Sequence, residues 1–345
     1  MSAPDSVLIA GVGGASLGTE IAKSLGLAGG YKIYGCDISP HAYGLHGPEF
    51  EDTAKIGRAS YVEQLLELCL QWRVACVVPG GEEPLRSIVG ARDSFARAGV
   101  AIAINDAELI RTCVDKDLLF LELQRLGFPT PWTRAIMDPR ALRKDDIPGF
   151  PCIVKPSTVS GGSAFVFLVR TFEELSSYAN LILDACGPAV AQEYVAVDEG
   201  EFTIGVLSLQ EAGLVGSIAM RRIFDAKLSV AMRSATGLIS SGYSQGLIDS
   251  FPDVCSQAER LAEALGSIGP LNIQGRMRDG VLLPFEVNPR FSASTYLRAM
   301  AGFNEVDIFL KHALHGATPA PGPIRTGYYL RSLTERFELN GPEDR

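Results

Sequence analysis

The chain has 345 residues, 47% hydrophobic and 21% charged, with a formal net charge of -9. That length suits two or three domains, the composition is globular, and the acidic balance without a basic stripe argues against a nucleic-acid partner. No apolar run reaches the ~20 residues of a membrane helix, so no membrane partner is expected either.

The N-terminal MSAPDS carries no basic n-region, so no signal peptide is expected. Seven cysteines, at 36, 69, 76, 113, 152, 186 and 255, include no C-x-x-C pair. They read as reduced core thiols of a cytoplasmic protein.

In chain order, Val7 to Gly11 reads as a buried strand, and Gly11-Val12-Gly13-Gly14 leads into a helix near Ser16 to Leu27. Lys32 to Asp37, Ala75 to Pro79 and Ala101 to Asn105 read as further strands. A capping box at Ser60–Glu63 opens a helix to about Trp72, and another helix spans about Pro84 to Ala98. Continuous apolar strands separated by helices predict a parallel sheet covered on both faces. Asp106 caps a predicted long helix to Leu126, and Gly127-Phe128-Pro129-Thr130-Pro131 breaks the chain. Strands follow at Pro151 to Pro156, Phe165 to Val169 and Val190 to Val195, with a capping box at Thr171–Glu174. Glu201 to Leu209 and Leu214 to Ile223 form a hairpin. Helices are predicted near Asp253 to Leu265 and Glu305 to His315.

The glycine-rich start admits three readings: a dinucleotide loop, a substrate-facing anion loop or a structural turn. A full G-x-G-x-x-G would place its third glycine at position 16, which is Ser16. Asp37 ends the second strand, where a ribose-binding acid would sit, but acids commonly end such strands. The dinucleotide reading is the weakest of the three.

Cys152-Ile153-Val154-Lys155-Pro156 is an apolar strand whose lysine ammonium needs a partner. The small loop Ser157 to Ser163 can bring backbone N–H groups close to phosphate. An edge lysine before an ordinary hairpin loop accounts for the stretch equally well. Farther on, Asn272 to Arg278 and Leu283 to Asn288 flank Asp279-Gly280. A two-residue turn there would set Gln274 opposite Phe285. A three-residue loop centred on Gly280 sets Gln274 opposite Glu286 and Asn272 opposite Asn288, and gathers Ile273, Met277, Leu283, Phe285 and Val287 on the other face. Glu286 and Asn288 then share a face and suit Mg2+, with Arg290 in reach of a phosphate. The competing reading is a solvated polar face.

With these residues in hand, positions 7 to about 330 resemble the ATP-grasp superfamily, especially the carbamoyl phosphate synthase large-chain branch and stand-alone amino-acid ligases like it. The resemblance implies an α/β and α+β fold: a Rossmann-like pre-ATP-grasp sheet (1–108), a small lobe with a glycine lid (109–195) and a large lobe with the metal site (196–345). It implies an ATP-dependent ligase that makes an amide through an acyl phosphate from a carboxylate and an amine. ATP and Mg2+, or Mn2+ in its place, would be the cofactors. Lys116 and Lys155 would contact phosphates, with Ser160, Gly161 and Gly162 in the lid. Gln192, Glu193, Tyr194 and Val195 would form the adenine hinge, and Glu201 would bind ribose hydroxyls. Gln274, Glu286 and Asn288 would hold metal.

In the implied mechanism Lys116, Lys155 and Arg290 neutralise the transferring phosphoryl group, and Arg221 or Arg222 holds the carboxylate or acyl phosphate. A homodimer is an expectation from relatives. The lid has fewer glycines after Gly162 than many relatives carry. A regulatory module that binds nucleotide without turnover is the alternative. Gly80-Gly81-Glu82-Glu83 and the stretch from Phe224 to Tyr243 are candidates for substrate contact. His312-x-x-His315 reads as surface histidines.

Overall fold

The computed structural model describes residues 3–14, 17–158, 164–235 and 237–335. Strands β1 (Asp5–Ala10), β2 (Tyr31–Asp37), β3 (Asp52–Lys55), β4 (Cys76–Pro79) and β5 (Ala101–Ile102) form a parallel sheet in the order β3-β2-β1-β4-β5. Helices α1 (Leu17–Ala28), α2 (Tyr61–Gln71), α3 (Glu82–Val89) and α4 (Arg92–Arg97) flank it. Val7 and Ile9 of β1 pack with Ile21 and Leu25 of α1. Leu8 and Ala10 pack on the opposite face with Leu65, Ile88 and Phe95. Both faces are dry, so the strand reads as one apolar run rather than an alternation.

The glycine-rich start is a packing device. Gly11 has φ 96°, and a Cβ on Gly18 or on Gly80 would lie 2.0 Å from the Gly11 carbonyl oxygen. Asp37 accepts hydrogen bonds from the Val12 and Ser39 backbone N–H groups, at 2.8 and 2.9 Å. Its carboxylate therefore holds this chain's own loops rather than facing a ribose. Gly18→Ala is expected to lower stability by ~1–3 kcal/mol through overpacking. Gly26→Ala in the same helix, with nothing within 4 Å of its would-be Cβ, should be neutral or stabilising. Urea unfolding of both variants checks this, and equal midpoints would refute it.

The long helix expected from Asp106 to Leu126 is two helices, α5 (Ala107–Val114) and α6 (Lys116–Arg125). Asp106 caps the first, accepting from Glu108 N. Asp115 breaks the run and caps the second, accepting from Asp117 N and Leu118 N. The break places Lys116 at the first position of α6. The Ser60–Glu63 capping box does not form, because Ser60 is left-handed (φ 53°) and its side chain caps nothing. Thr171 does accept from Glu174 N.

A second, antiparallel sheet comprises β6 (Thr133–Ile136), β7 (Cys152–Pro156), β8 (Phe167–Val169) and β9 (Ala189–Glu193), ordered β6-β9-β7-β8. Helix α7 (Phe172–Cys186) contributes Leu175, Ala179 and Ile182 to its core. The largest sheet begins with β10 (Glu201–Leu209) and β11 (Gly213–Arg222). The small pair β12 (Val230–Ser234) and β13 (Gly237–Ser240) follows, then β14 (Gly246–Asp249), helix α8 (Pro252–Ala264), β15 (Pro270–Arg278) and β16 (Val281–Asn288). Helices α9 (Thr295–Met300) and α10 (Glu305–His315) and strand β17 (Gly327–Tyr329) complete it, in the sheet order β16-β15-β10-β11-β14-β17.

The register of the β15–β16 hairpin combines both sequence alternatives. The turn is the two-residue one, since Arg278 pairs with Val281 around Asp279 (φ 53°) and Gly280 (φ 72°), the geometry such hairpins favour. Gln274 nevertheless pairs with Glu286, and Asn272 with Asn288. The pairing shifts between Gln274 and Gly275, so Phe285 is an extra residue, a β-bulge. Leu282 therefore joins Ile273, Met277 and Val287 in the core, where Leu283 and Phe285 were expected. Phe285 faces a cavity instead.

All seven cysteines are unpaired, and five are buried. Burial pushes the Cys69, Cys113 and Cys152 thiols up to about 12. Among the described residues no helix is long and apolar enough to cross a membrane.

Candidate active site

A cavity of about 540 Å³ lies where the three main sheets meet. Its floor is the β15–β16 hairpin. Asn272, Gln274 and Arg276 alternate along β15 and so share one face with Glu286 and Asn288. One wall is Lys155 and Gln192 to Val195. The far end is Gly80 to Glu82, Ser241 to Ser244 and Ser292 to Ser294.

Lys155 is 6% exposed. Its ammonium donates to Gln192 Oε1 at 2.8 Å and to the Phe285 carbonyl at 2.9 Å. That carbonyl belongs to the bulged residue, so the hairpin's irregularity supplies a lysine partner. Burial first and the neighbouring Lys116 charge second lower the Lys155 pKa to about 7, with Glu286 opposing. Lys116, also buried, donates to the Ser157 carbonyl at 3.3 Å. Gln192 gives its amide N–H to Thr133 Oγ1 at 3.0 Å.

Gln274 donates to Glu286 Oε2 at 2.7 Å. A carboxylate only accepts, so the Gln274 nitrogen is the atom that faces Glu286. Arg290 donates to Asn288 Oδ1 at 3.1 Å and to the Phe291 carbonyl at 3.0 Å. Burial lowers the Arg290 pKa, opposed by Glu286 and Glu82. Among the described residues no three His, Cys, Asp or Glu side chains cluster to hold a metal. One carboxylate with two amide groups nevertheless suits a hard divalent cation that takes its remaining oxygens from water and phosphate.

Glu193 pairs with Arg278 and accepts from Trp132 N at 3.3 Å. Tyr194 accepts from Leu238 N at 2.8 Å through its hydroxyl.

Two expected residues are elsewhere. Glu201 is fully buried, not in the cavity wall, and sits between Arg276 (2.8 Å) and Arg222 (3.3 Å). A carboxylate removed from water needs such neutralisation within the protein, and Glu201 does not line the cavity where a ribose was expected. Arg222 donates to the Ser241 carbonyl at 2.8 Å and binds Glu201. It holds the 229–243 segment and does not line the cavity; Arg221 is exposed and does not line it either. Ser160, Gly161 and Gly162 lie outside the described residues. His312 bonds Thr318 and the Gln210 carbonyl, and His315 bonds Asp5, so they are not a metal pair.

Arg276 is the residue the sequence reading missed. It lies over the Tyr194 ring, 5.0 Å from its centroid, and donates to the Val195 and Leu238 carbonyls. Its spacing of two from Gln274 was the available signal.

A family model described as ATP-grasp in the biosynthetic pathway with Ter operon matches residues 227–336. The carbamoyl phosphate synthase large chain of Neisseria meningitidis serogroup B is 28% identical over 215 residues, 62% of this chain and 19% of that protein. Over these stretches the chain is similar to proteins of the ATP-grasp superfamily. It spans about a fifth of the length of the curated relatives it matches. The chain superposes on L-amino acid ligase from Bacillus licheniformis with TM-score 0.66 and 16% identity, covering 94% of this chain and 76% of that one. It superposes on biotin carboxylase from Campylobacter jejuni with TM-score 0.68 and 16% identity, covering 92% and 73%. At that identity the likeness is one of ATP-grasp fold.

Proposed function

We propose that this chain is an ATP-dependent ligase that activates a carboxylate as an acyl phosphate and passes the acyl group to an amine, with an amino acid or small carboxylic acid as substrate. One observation carries the reading: Lys116, Lys155 and Arg290 converge with Glu286 and two amide side chains on a single cavity. The curated relatives and the amino-acid ligase of the same fold support it. The division at residues 108 and 195 goes with this reading.

Catalysis here is charge neutralisation and alignment. Lys116 and Lys155 hold the nucleotide phosphates, while Arg290 neutralises the group in transit. Gln274, Glu286 and Asn288 would hold Mg2+, which would supply further charge neutralisation when bound. Gln192 to Val195 and Arg276 line the base end, and Gly80 to Glu82 and Ser241 to Ser244 the end left for the acid and amine.

The Lys155 pKa of about 7 gives the binding a pH signature. In free protein the ammonium loses its proton above about pH 7, whereas bound phosphates hold it on. Affinity for Mg-AMPPCP is therefore expected to be flat below pH 7 and to fall by up to about tenfold per unit above it. Calorimetry in buffers of different ionisation heat should record proton uptake, and Lys155→Met should abolish the slope. A wild-type affinity independent of pH from 6 to 9 would refute the role of Lys155.

The function itself is tested by ADP release with Mg-ATP across a panel of amino acids and small acids in hydroxylamine. ADP and hydroxamate appearing together for one acid establish activation. Absence of both across the panel, with ATP binding intact, argues against it.

A further inference from the structure

Beside the cavity, on the same face of the sheet, lies a buried polar cluster that the proposed reaction does not use. Arg298 of α9 is 1% exposed and Glu305 is fully buried. Arg298 Nη1 donates to Glu305 Oε1 at 3.2 Å. Thr295 donates to the same oxygen at 2.6 Å. Arg298 Nη2 reaches up to the sheet, donating to Asn272 Oδ1 at 2.6 Å and to Thr203 Oγ1 at 3.1 Å. Thr203 in turn donates to Asn272 Oδ1 at 2.9 Å.

The fold makes room for this. Gly205 is the cross-strand neighbour of Asn272, and a Cβ there would sit 2.5 Å from Arg298 Nη1. Burying an arginine against an active-site strand is costly unless its bonds are well made.

The consequence falls on Asn272. A guanidinium can only donate, so the amide oxygen must face Arg298 and the amide nitrogen must face the other way. The other way is the cavity, which Asn272 lines. Among the described residues none accepts a hydrogen bond from Asn272 Nδ2. Asn272 is also the pairing partner of Asn288, next to Glu286 and Arg290. Two donors on the amide oxygen polarise the amide and strengthen its N–H as a donor.

Resting on the ligase reading above, we propose that Asn272 Nδ2 is a fixed hydrogen-bond donor to the transferring phosphoryl group, and that Arg298 is the positioning residue that sets its direction. Asn272 would then not be a metal ligand, because its oxygen is turned from the site.

The test compares AMPPCP, which carries a γ-phosphate analogue, with ADP, both as Mg2+ complexes, by calorimetry on the full chain. Asn272→Asp keeps an oxygen for Arg298 and Thr203 but presents an oxygen to the cavity in place of the N–H. Asn272→Ala removes the donor without adding charge. A hydrogen bond to a charged group contributes ~1.5–3 kcal/mol, so both variants should bind AMPPCP at least ~10-fold more weakly. ADP should stay within about twofold. Arg298→Met combined with Glu305→Gln frees the amide to rotate, and should lower the AMPPCP-to-ADP preference while ADP binding and the unfolding midpoint hold. Arg298→Lys with native Glu305 should restore part of that preference.

If Asn272→Ala keeps the wild-type preference, or AMPPCP and ADP weaken together, the proposal is overturned while the ligase reading stands. If wild-type protein binds neither nucleotide, the ligase reading falls and takes this one with it.

Discussion

Glu286→Gln is expected to lower metal-dependent turnover by about 10²-fold or more, ~2.7 kcal/mol in the barrier. Glu286 is the one carboxylate among the three proposed metal ligands, so its loss removes the anionic oxygens from that set. The substitution keeps a carbonyl oxygen for the Gln274 amide, now at 2.7 Å from Glu286 Oε2, so the fold should persist. The measurement is ADP release at saturating Mg2+ with the acid found by hydroxamate trapping. Turnover near wild type would refute the role assigned to Glu286.

Glu201→Ala is expected to cost ~3–5 kcal/mol of folding stability, the usual penalty for breaking a buried ion pair from one side. Two guanidinium groups, Arg276 and Arg222, share this fully buried carboxylate. Burial already lowers the Arg222 pKa, with Glu201 the main opposing influence. Urea unfolding at pH 7 measures the loss, and a change below about 1 kcal/mol would refute the account. Arg276 spans the cavity wall by bonding both the Val195 and Leu238 carbonyls. Surviving Glu201→Ala protein should therefore also bind nucleotide more weakly.

Much of this architecture was legible in the residues. The parallel sheet followed from continuous apolar strands, and the face shared by Gln274, Glu286 and Asn288 followed from two-residue alternation. The failures have local causes. Asp115 looks helical by pattern, yet its side chain caps the following helix and ends the preceding one. The Phe285 bulge has no marker that alternation alone could detect. Glu201 and Arg222 are charged residues near a site, which suggests ligand contact, but cross-strand pairing with Arg276 buries Glu201. Only three-dimensional neighbours decide whether such a charge faces a ligand or another side chain. Arg298 was invisible for the same reason: its partners Thr203 and Asn272 are 95 and 26 residues away in sequence.

The Phe285 bulge also separates two mechanical jobs within one hairpin. It acts as a phase shifter: strand order on the turn side is set by Asp279-Gly280, while on the cavity side it is set independently by Gln274 and Glu286. Extra residues at the hairpin tip would leave the site's phase unchanged, so that tip is a place for a reporter label or a natural insertion. A single residue added between Phe285 and Asn288 would instead rotate proposed ligands into the core. Variation along this hairpin should therefore be tolerated on one side of residue 285 and not on the other.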